Sequence, residues 1–433
     1  MLKNNLSNLF YLLTLALALI SCQLDYGDLN NPTIESYLEN ATVSQLNNLV
    51  SGTESATRNN IALYLDVTAV IGREIYRFGS DPRYTTELLG GGANTLLNSN
   101  FYITNNWSAR YRAVKNANVL ISAANNSGSI SEQQRKGYLG FAKTIKAYEL
   151  LLNLNLTYQN GIRVEVSQPE ALGPVIGYDQ ALINIASLLD SAHSDLKGAS
   201  FSFPLSAGYI SFNTPEGFIK FNRALAARVS LYQKKWDVTL VHLQQSFLQL
   251  NGSFQDGVYH VFSNGSGDLL NAAFTDKDQS GEVRLAHPSF EKEIEQGDAR
   301  IQKTSLRAAP YSNNGLSSTR DVWVYTSSTA KIPLIRNEEL ILIYAEAQAQ
   351  SGNIQEAIKA VNAIRKGHQL NEYSGPSTAE ALIEQVLHER RYSLFFEGHR
   401  WIDIRRYDQL KNLPIDRKDD DVWTQLPLPV SEK

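Results

Sequence analysis

The sequence has one cysteine, Cys22, among 433 residues, and its seven histidines include no His-x-x-x-His pair. A single cysteine cannot form an intramolecular disulfide or a cysteine-based metal cluster. His388 and His399 are eleven residues apart and could share a helix face, but Gly398 lies between them and interrupts that helix. We therefore expect neither a disulfide framework nor a bound metal.

Loops that bind phosphate or calcium are also missing. The glycine run at residues 90–92 is not followed by the Lys-Ser/Thr of a phosphate-binding loop. The acidic run at residues 416–421 lacks the alternating ligands and the fixed glycine of a calcium loop, and we interpret it as a solvated turn. No local motif pairs a nucleophile with a base. These absences predict a protein without a cofactor.

Apolar runs long enough to cross a bilayer are absent. The longest, at residues 9–20, is interrupted by Thr14 and contains about twelve residues, whereas a spanning helix needs about 20. Lys3 precedes this run and Ser21 follows it. A charged start, a short apolar core and a small residue before a cleavage point indicate a secretion signal. A short signal anchor is the alternative.

The position of Cys22 makes this signal more specific. The segment LISC at residues 19–22 resembles the bacterial lipobox, in which the cysteine becomes an acylated N-terminus. Several acyl chains hold a protein firmly on a membrane, whereas one chain binds only marginally. We expect a signal peptide at residues 1–21 and a lipidated tether at residues 22–32. A cysteine that merely lies near the cleavage site is the alternative.

The rest of the sequence has the composition of a globular protein. Hydrophobic residues make up 43% of the chain and charged residues 19%, which is enough for a sizeable core. A net charge of −4 gives no electrostatic footprint for nucleic acid or anionic lipid. The 21 tyrosines suit a binding protein, because the ring packs while the hydroxyl stays available for hydrogen bonds.

Helical periodicity dominates, and residues 335–367 show it best. Apolar residues recur at helical spacing on both sides of a break at Gly352, and Asn337 is a candidate helix cap. Ala345, Gly352 and Ala357 occupy the small-residue positions of a tetratricopeptide repeat, where two helices approach closely. The segment therefore predicts a helical hairpin.

Looser versions of the same pattern recur along the chain. One covers residues 223–247, and another pairs residues 141–155 with residues 180–196 across a long insertion. Residues 102–125 predict a further helix. Strand alternation is rare, and only residues 162–166 and 322–325 predict short strands. Stacked hairpins of this kind bury a continuous core and leave function to their loops.

Several motifs spread over the chain belong together. Besides the lipobox they are WSARY at residues 107–111 with NANVL at 116–120, GDAR at 297–300, IPLIR at 332–336 with ELILIYAEA at 339–347, ERRYSLFFEGHRWIDIRR at 389–406, and QLPLP at 425–429. Together they resemble the SusD/RagB family of outer-membrane nutrient-binding lipoproteins. The resemblance implies one SusD-like domain at residues 33–433. Its fold would be mainly α, with tetratricopeptide-like hairpins, long loops and a few short strands.

The resemblance also implies a role. Members of this family hold a glycan, or in some cases a peptide, at the cell surface and deliver it to a SusC-like TonB-dependent transporter in the outer membrane. They do not cleave it. We therefore expect an oligo- or polysaccharide ligand, a transporter partner, attachment to the outer membrane through the lipid anchor, and no enzymatic activity. The alternatives are a peptide-binding RagB-type protein, a glycan-cleaving enzyme and a periplasmic scaffold.

The charged residues of the C-terminal motif have two interpretations. Glu389, Arg390, Glu397, Arg400 and Asp403 could be catalytic carboxylates held by arginines, or a structural ion-pair network at a helix end. We favour the structural interpretation, because buried charges need partners and these residues coincide with the family motif. A capping box at residues 377–380 starts the same helix, which also points to structure.

Two loops have the composition of a sugar site. Sugars present apolar C–H faces and hydroxyl edges, so a site needs aromatic rings beside planar hydrogen-bonding groups. The candidate ligand-binding residues are Tyr76, Arg77, Asp81 and Tyr84 in residues 73–84, and Tyr311, Asn313, Asn314, Trp323 and Tyr325 in residues 311–325. The arginines keep anionic glycans and peptide carboxylates open as ligands. We place Trp107 in the core.

Overall fold

The computed structural model describes residues 34–91 and 95–432, and of residues 34–36 the backbone alone. The predicted signal peptide, Cys22 and the tether lie outside the described residues. Within the described ranges, no helix is long and apolar enough to cross a membrane.

Helices form most of the regular structure. The α-helices are α1 (Ile34–Asn40), α2 (Val43–Ala56), α3 (Ile61–Ile71), α4 (Arg83–Thr86), α5 (Phe101–Asn126), α6 (Glu132–Thr157), α7 (Tyr178–Leu196), α8 (Pro215–Tyr232), α9 (Trp236–Gln244), α10 (Pro288–Glu293), α11 (Asn337–Gln350), α12 (Ile354–Gly367), α13 (Ala379–Ser393) and α14 (Arg400–Arg406). The strands are β1 (Ile75–Phe78), β2 (Ile162–Arg163), β3 (Val175–Ile176), β4 (Gly257–His260), β5 (Val283–Ala286), β6 (Thr304–Asn313), β7 (Leu316–Val322) and β8 (Ile332–Arg336). The mainly α fold class predicted from sequence is confirmed.

The helical hairpins occur where the repeat spacing predicts them. α6 packs against α7, α8 against α9, and α11 against α12. The insertion inside the first pair carries the short antiparallel ladder of β2 and β3. α7 also packs on α8, and α9 on α11, so neighbouring hairpins stack on one another. The first two hairpins lie in the main apolar core, whereas the buried residues of α12 belong to two smaller clusters with residues of α11 and α13.

The turn between α11 and α12 shows why its small residues are needed. Ala345 and Ala357 are fully buried in these helices, where a larger side chain would force the two backbones apart. Gly352 has a φ of +78°, a left-handed conformation that glycine adopts without steric cost. The break in the apolar pattern is therefore a tight turn.

Two helix starts differ from the predicted caps. Asn337 is the first residue of α11 and does not cap it. Its side-chain amide instead donates a hydrogen bond of 2.8 Å to the carbonyl oxygen of Gln249. α13 is capped by Thr378, whose hydroxyl accepts a hydrogen bond from the amide of Ala381, and not by Ser377. At α11 a tertiary hydrogen bond uses the side chain that the sequence pattern suggested as a cap. At α13 the hydroxyl of the next residue forms the cap instead.

A four-stranded antiparallel sheet has the strand order β1-β5-β7-β6. It corrects the sequence analysis, which interpreted residues 73–84 and 311–325 as loops. Most of the second segment is the end of a β-hairpin, with Asn314 and Gly315 at its turn and φ values of 51° and 76°. Two left-handed residues are what a tight hairpin turn requires. The sheet therefore joins both predicted binding segments.

The C-terminal motif residues form buried ion pairs. Arg390 contacts Asp403 at 2.7 Å, and Arg406 contacts Asp403 at 2.9 Å and Glu346 at 2.6 Å. Further pairs nearby are Arg300–Glu389, Arg365–Glu389, Arg336–Glu397 and Arg228–Glu339. Arg400 makes no ion pair with a described residue. Arginines bind the buried carboxylates on several elements, which supports the structural interpretation.

Candidate ligand-binding site

Two cavities lie on either side of the Arg77 side chain. The small cavity, of about 300 Å³, is lined by Arg77, Asp81, Asn313 and Asn314, among others. These four residues come from both predicted segments, so the sheet brings them together. The large cavity, of about 550 Å³, continues from Arg77 and contains Tyr84. Five of the nine predicted residues therefore line these two cavities, which share Arg77 and which we call together the groove.

Several residues of the large cavity were missed by the sequence analysis. They are Arg58, Asn60, Asp66, Arg112, Phe262, Leu269, Leu270 and Arg284. Leu269 and Leu270 are 41% and 51% exposed, and they directly follow a Gly/Ser/Asn-rich loop. An apolar pair beside such a polar loop was a readable signal, because exposed apolar surface in one place often marks a binding site.

Arg77 is held in place by three groups. Its Nη1 donates a hydrogen bond of 2.6 Å to the carbonyl oxygen of Phe78, and its Nη2 contacts Glu282 at 2.6 Å. Its Nε lies 3.6 Å from Asp66, which Arg284 binds through two hydrogen bonds of 2.6 and 2.8 Å. The wall between the two cavities is therefore rigid.

Tyr84 presents a hydroxyl that makes no hydrogen bond with any described residue. Its ring packs edge-on against Phe101 at 5.5 Å, and the guanidinium of Arg77 lies 5.5 Å from the ring centre. Burial, together with the charge of Asp66, raises the pKa of Tyr84 well above its ordinary value. The hydroxyl therefore stays protonated and can donate or accept a hydrogen bond in the large cavity.

Asp81 is bound by Arg83 rather than left free. Two hydrogen bonds join their side chains, the shorter being 2.6 Å, and the amide of Arg83 adds a third at 3.0 Å. The hydrogen bonds from Arg83 lower the pKa of Asp81 below its ordinary value. Asp81 is thus ionised. It fixes the conformation of its loop and lines the small cavity.

The acidic C-terminal run is not simply the solvated turn that the sequence suggested. Asp420 is buried and binds Arg417 at 2.6 Å, while Asp416 contacts His287 at 3.0 Å. Arg417 also donates hydrogen bonds to the carbonyl oxygens of Asn314, at 3.1 Å, and Thr85. This run therefore supports the floor of the small cavity.

Tyr76 and Tyr311 lie close to the groove without lining it. Tyr76 is only 2% exposed and packs against Phe78 and His287. Tyr311 stacks on Phe78 at 5.8 Å. A ring buried as deeply as Tyr76 cannot present its face to a ligand, so we assign it to the support of β1.

Trp323 and Tyr325 line a different cavity of about 590 Å³. Tyr325 is 4% exposed and donates a hydrogen bond to the carbonyl oxygen of Phe396. Trp323 is half-buried, with the ammonium of Lys277 lying 4.3 Å from its ring centre. We call this space the Trp323 cavity; it shares no lining residue with the two cavities around Arg77.

Among residues 34–91 and 95–432, no three His, Cys, Asp or Glu side chains are arranged to hold a metal ion. His399 is buried and faces Glu339 at 3.7 Å, and burial lowers the pKa of His399 to about 4. His399 is therefore neutral near pH 7 and lies beside the ion-pair network without adding a charge to it.

Comparison with known proteins shows which family the chain resembles. A model of the SusD family matches residues 293–424, which include the C-terminal motif. A solved SusD superfamily protein from Bacteroides vulgatus superposes with a TM-score of 0.70 at 16% identity, covering 90% of this chain and 96% of the other. The chain is therefore similar to the SusD family over residues 293–424, and it shares its mainly helical fold with the solved protein.

Two further proteins are similar to this chain, one in structure and one in sequence. Surface glycan-binding protein A from Bacteroides thetaiotaomicron superposes with a TM-score of 0.71 at 12% identity, covering 92% of this chain and 97% of the other. SusD-like protein P38 from Formosa agariphila is 28% identical over 141 residues. That alignment covers 31% of this chain and 27% of the relative's length.

Proposed function

We propose that this protein captures a glycan at the bacterial cell surface and passes it, uncleaved, to a SusC-like TonB-dependent transporter. One observation carries the binding part: the large cavity combines exposed apolar side chains with polar groups that have no hydrogen-bond or ion-pair partner among the described residues. Leu269 and Leu270 supply the apolar wall, and the Tyr84 hydroxyl and the Arg112 guanidinium are the unpartnered groups.

This combination suits a sugar ring. The C–H face of a pyranose packs on an aliphatic or aromatic wall, and its hydroxyl edge needs planar groups that donate and accept hydrogen bonds. Arg77, Asp81, Asn313 and Asn314 extend the polar lining into the small cavity. A groove that continues past Arg77 would accommodate several sugar units rather than one. The glycan-binding name of a structural relative adds independent support.

The carboxylates of the groove argue against cleavage. Glycoside hydrolysis needs two carboxyl groups, one of which usually has a raised pKa so that it can act as an acid. Asp66 is bound by Arg284, and the pKa of Asp81 is lowered by its hydrogen bonds with Arg83. Neither residue has the environment of a general acid, so binding without hydrolysis is the better proposal.

The location follows from the N-terminal sequence. Lipidation of Cys22 would hold the protein on the outer membrane, with residues 22–32 as a tether. Cys22→Ala should release the protein from the membrane fraction, whereas a matched Ser21→Ala variant, which keeps a small residue before the cysteine, should remain attached. A Cys22→Ala protein that stays in the outer-membrane fraction would contradict the anchor.

We assign the contact with the transporter to exposed apolar side chains on the helical repeats of this protein. Ile183 on α7 and Val238 and Val241 on α9 are aliphatic side chains that are more than two-fifths exposed. Exposed apolar side chains on repeat helices are suited to a protein partner. Co-purification with a SusC-like transporter encoded beside this gene should be weakened by Val238→Asp with Val241→Asp, and unchanged by Ile415→Asp, a matched exposed site outside the repeats.

A binding screen tests the central proposal. The purified full-length protein, kept in detergent, is applied to an array of oligosaccharides, polysaccharides and peptides. We expect retention on a glycan, reduced about tenfold by Tyr84→Ala through loss of both ring and hydroxyl contacts. Retention on peptides alone would overturn glycan capture in favour of peptide capture. Release of shortened products would overturn the proposal of binding without cleavage.

A further inference from the structure

The large cavity carries more positive charge than its surroundings explain. Four arginines line it, Arg58, Arg77, Arg112 and Arg284, whereas Asp66 is the single carboxylate among its lining residues. The whole chain has a net charge of −4. A basic cavity in an acidic protein is therefore a local feature and not a consequence of overall composition.

Three of the four arginines have carboxylate partners, and among the described residues the fourth, Arg112, has none. Arg284 binds Asp66, Arg77 contacts Glu282 at 2.6 Å, and Arg58 contacts Asp268 at 2.5 Å. These ion pairs compensate the charges of Arg284, Arg77 and Arg58. The uncompensated positive charge at the cavity therefore lies on Arg112.

Arg112 is the arginine of this cavity that has no partner among the described residues. It lies on α5, is exposed, and makes no hydrogen bond or ion pair with any residue of the described ranges. Its guanidinium can offer two parallel N–H donors, the geometry that matches a carboxylate or a sulfate. The Tyr84 hydroxyl in the same cavity can donate a further hydrogen bond.

We propose that the large cavity selects an anionic glycan, binding a uronate carboxylate or a sulfate ester on Arg112, with Arg58 and the Tyr84 hydroxyl lining the same cavity. This inference rests on the proposed function and names its substrate class. Leu269, Leu270 and Phe262 would pack against the sugar that carries the charged group. The cavity favours a charged sugar over a neutral one, because a neutral ring would leave the charge of Arg112 without a partner.

The test compares acidic glycans with their neutral derivatives. Polygalacturonate is presented beside its carboxyl-reduced form, a sulfated galactan beside its desulfated form, and neutral glucans, mannans and xylans complete the array. We expect an acidic glycan to bind at least about tenfold more tightly than its neutral derivative, with the tighter pair distinguishing carboxylate from sulfate. Raising NaCl from about 0.05 M to about 0.5 M should weaken acidic binding only.

Matched variants locate the effect. Arg112→Gln should reduce affinity for the acidic glycan about tenfold while leaving thermal stability unchanged, and Arg112→Lys should retain part of the affinity. Lys366→Gln removes the same charge from an exposed site on α12 that lines none of the described cavities, and should have no effect. Equal binding of acidic and neutral forms, or binding unaffected by Arg112→Gln, would overturn the inference and leave glycan capture intact. Failure to retain any glycan would overturn both proposals.

Discussion

The guanidinium of Arg417 donates a hydrogen bond of 3.1 Å to the carbonyl oxygen of Asn314. Nη2 of the same side chain donates to the carbonyl oxygen of Thr85, and Asp420 binds it at 2.6 Å. Asn314 and Thr85 both line the small cavity, and their side chains are 3.3 Å apart. One C-terminal arginine therefore holds two distant segments of the groove in register.

Replacing Arg417 should loosen the groove without removing a lining residue. Arg417→Gln cannot span Asn314, Thr85 and Asp420 together, so we expect ligand affinity to fall about threefold to tenfold. Hydrogen exchange should become faster at residues 85–87 and 313–316. The neighbouring Lys418→Gln removes an equal charge from an exposed side chain and serves as the control. Unchanged exchange in Arg417→Gln would show that the β-hairpin holds its own position.

The free hydroxyl of Tyr84 gives a test that separates binding from folding. Tyr84→Phe keeps the ring against Phe101 and removes only a hydroxyl that makes no hydrogen bond within residues 34–91 and 95–432. We expect a threefold to tenfold loss of affinity, about the contribution of one hydrogen bond, and an unchanged melting temperature. Tyr344→Phe removes a hydroxyl on α11, far from the groove in the sequence, and should leave binding unchanged. Equal affinity of Tyr84→Phe and wild type would remove Tyr84 from the site.

Trp323 allows the two candidate locations to be compared. Because the Trp323 cavity shares no lining residue with the groove around Arg77, Trp323→Ala should change affinity for a short oligosaccharide by less than about twofold. Tyr84→Ala should weaken the same ligand about tenfold. Titration calorimetry with both variants measures the difference. The reverse order of effects would place the ligand in the Trp323 cavity.

The ion-pair network should dominate stability. Burial alone would raise the pKa of Asp403, but Arg390 and Arg406 outweigh burial and lower that pKa to about 2. Asp403→Asn leaves two buried guanidinium groups short of a charge partner, so we expect a loss of about 3–5 kcal/mol in the free energy of unfolding. Urea denaturation measures this loss. Lys359→Gln breaks the exposed pair with Glu356 and should leave the free energy of unfolding almost unchanged.

Glu74 predicts how stability depends on pH. It is buried, and desolvation raises the pKa of Glu74 from about 4.5 to about 8. The folded protein therefore holds this proton more tightly than the unfolded chain does. Its contribution is fully present below about pH 4.5 and is lost as pH rises towards 8. Glu74→Gln cannot ionise, so its free energy of unfolding should fall less between about pH 6 and about pH 9 than that of wild type.

The control for Glu74 is Glu380→Gln, which changes an exposed carboxyl group in the first turn of α13. It should leave the slope of stability against pH unchanged. A Glu74→Gln variant with the wild-type slope would mean that Glu74 is already ionised in the folded protein at neutral pH.

The sequence by itself determined the helical hairpins and the resemblance to the SusD family. Apolar spacing, Gly352 and the alanines at 345 and 357 act within about one repeat, so a local pattern is sufficient to record them. The motif at residues 389–406 is recognisable because it is one continuous run, although Arg406 in it pairs with Glu346, which is distant in the sequence. The strands were harder to predict from the sequence. The Asn314-Gly315 pair is typical of a tight hairpin turn, and the sequence analysis did not interpret it as one.

Tertiary structure alone decided the binding groove. Arg58, Arg77, Arg112, Leu269 and Arg417 come from segments that are far apart in the chain, and no local spacing relates them. The tertiary structure also places the nine predicted residues in different environments. The burial of an aromatic ring depends on which residues pack against it and not on its neighbours in the sequence. Tyr76 is therefore a buried residue of β1 that packs against Phe78 and His287, Trp323 lines a separate cavity, and Arg77 lines both cavities of the groove.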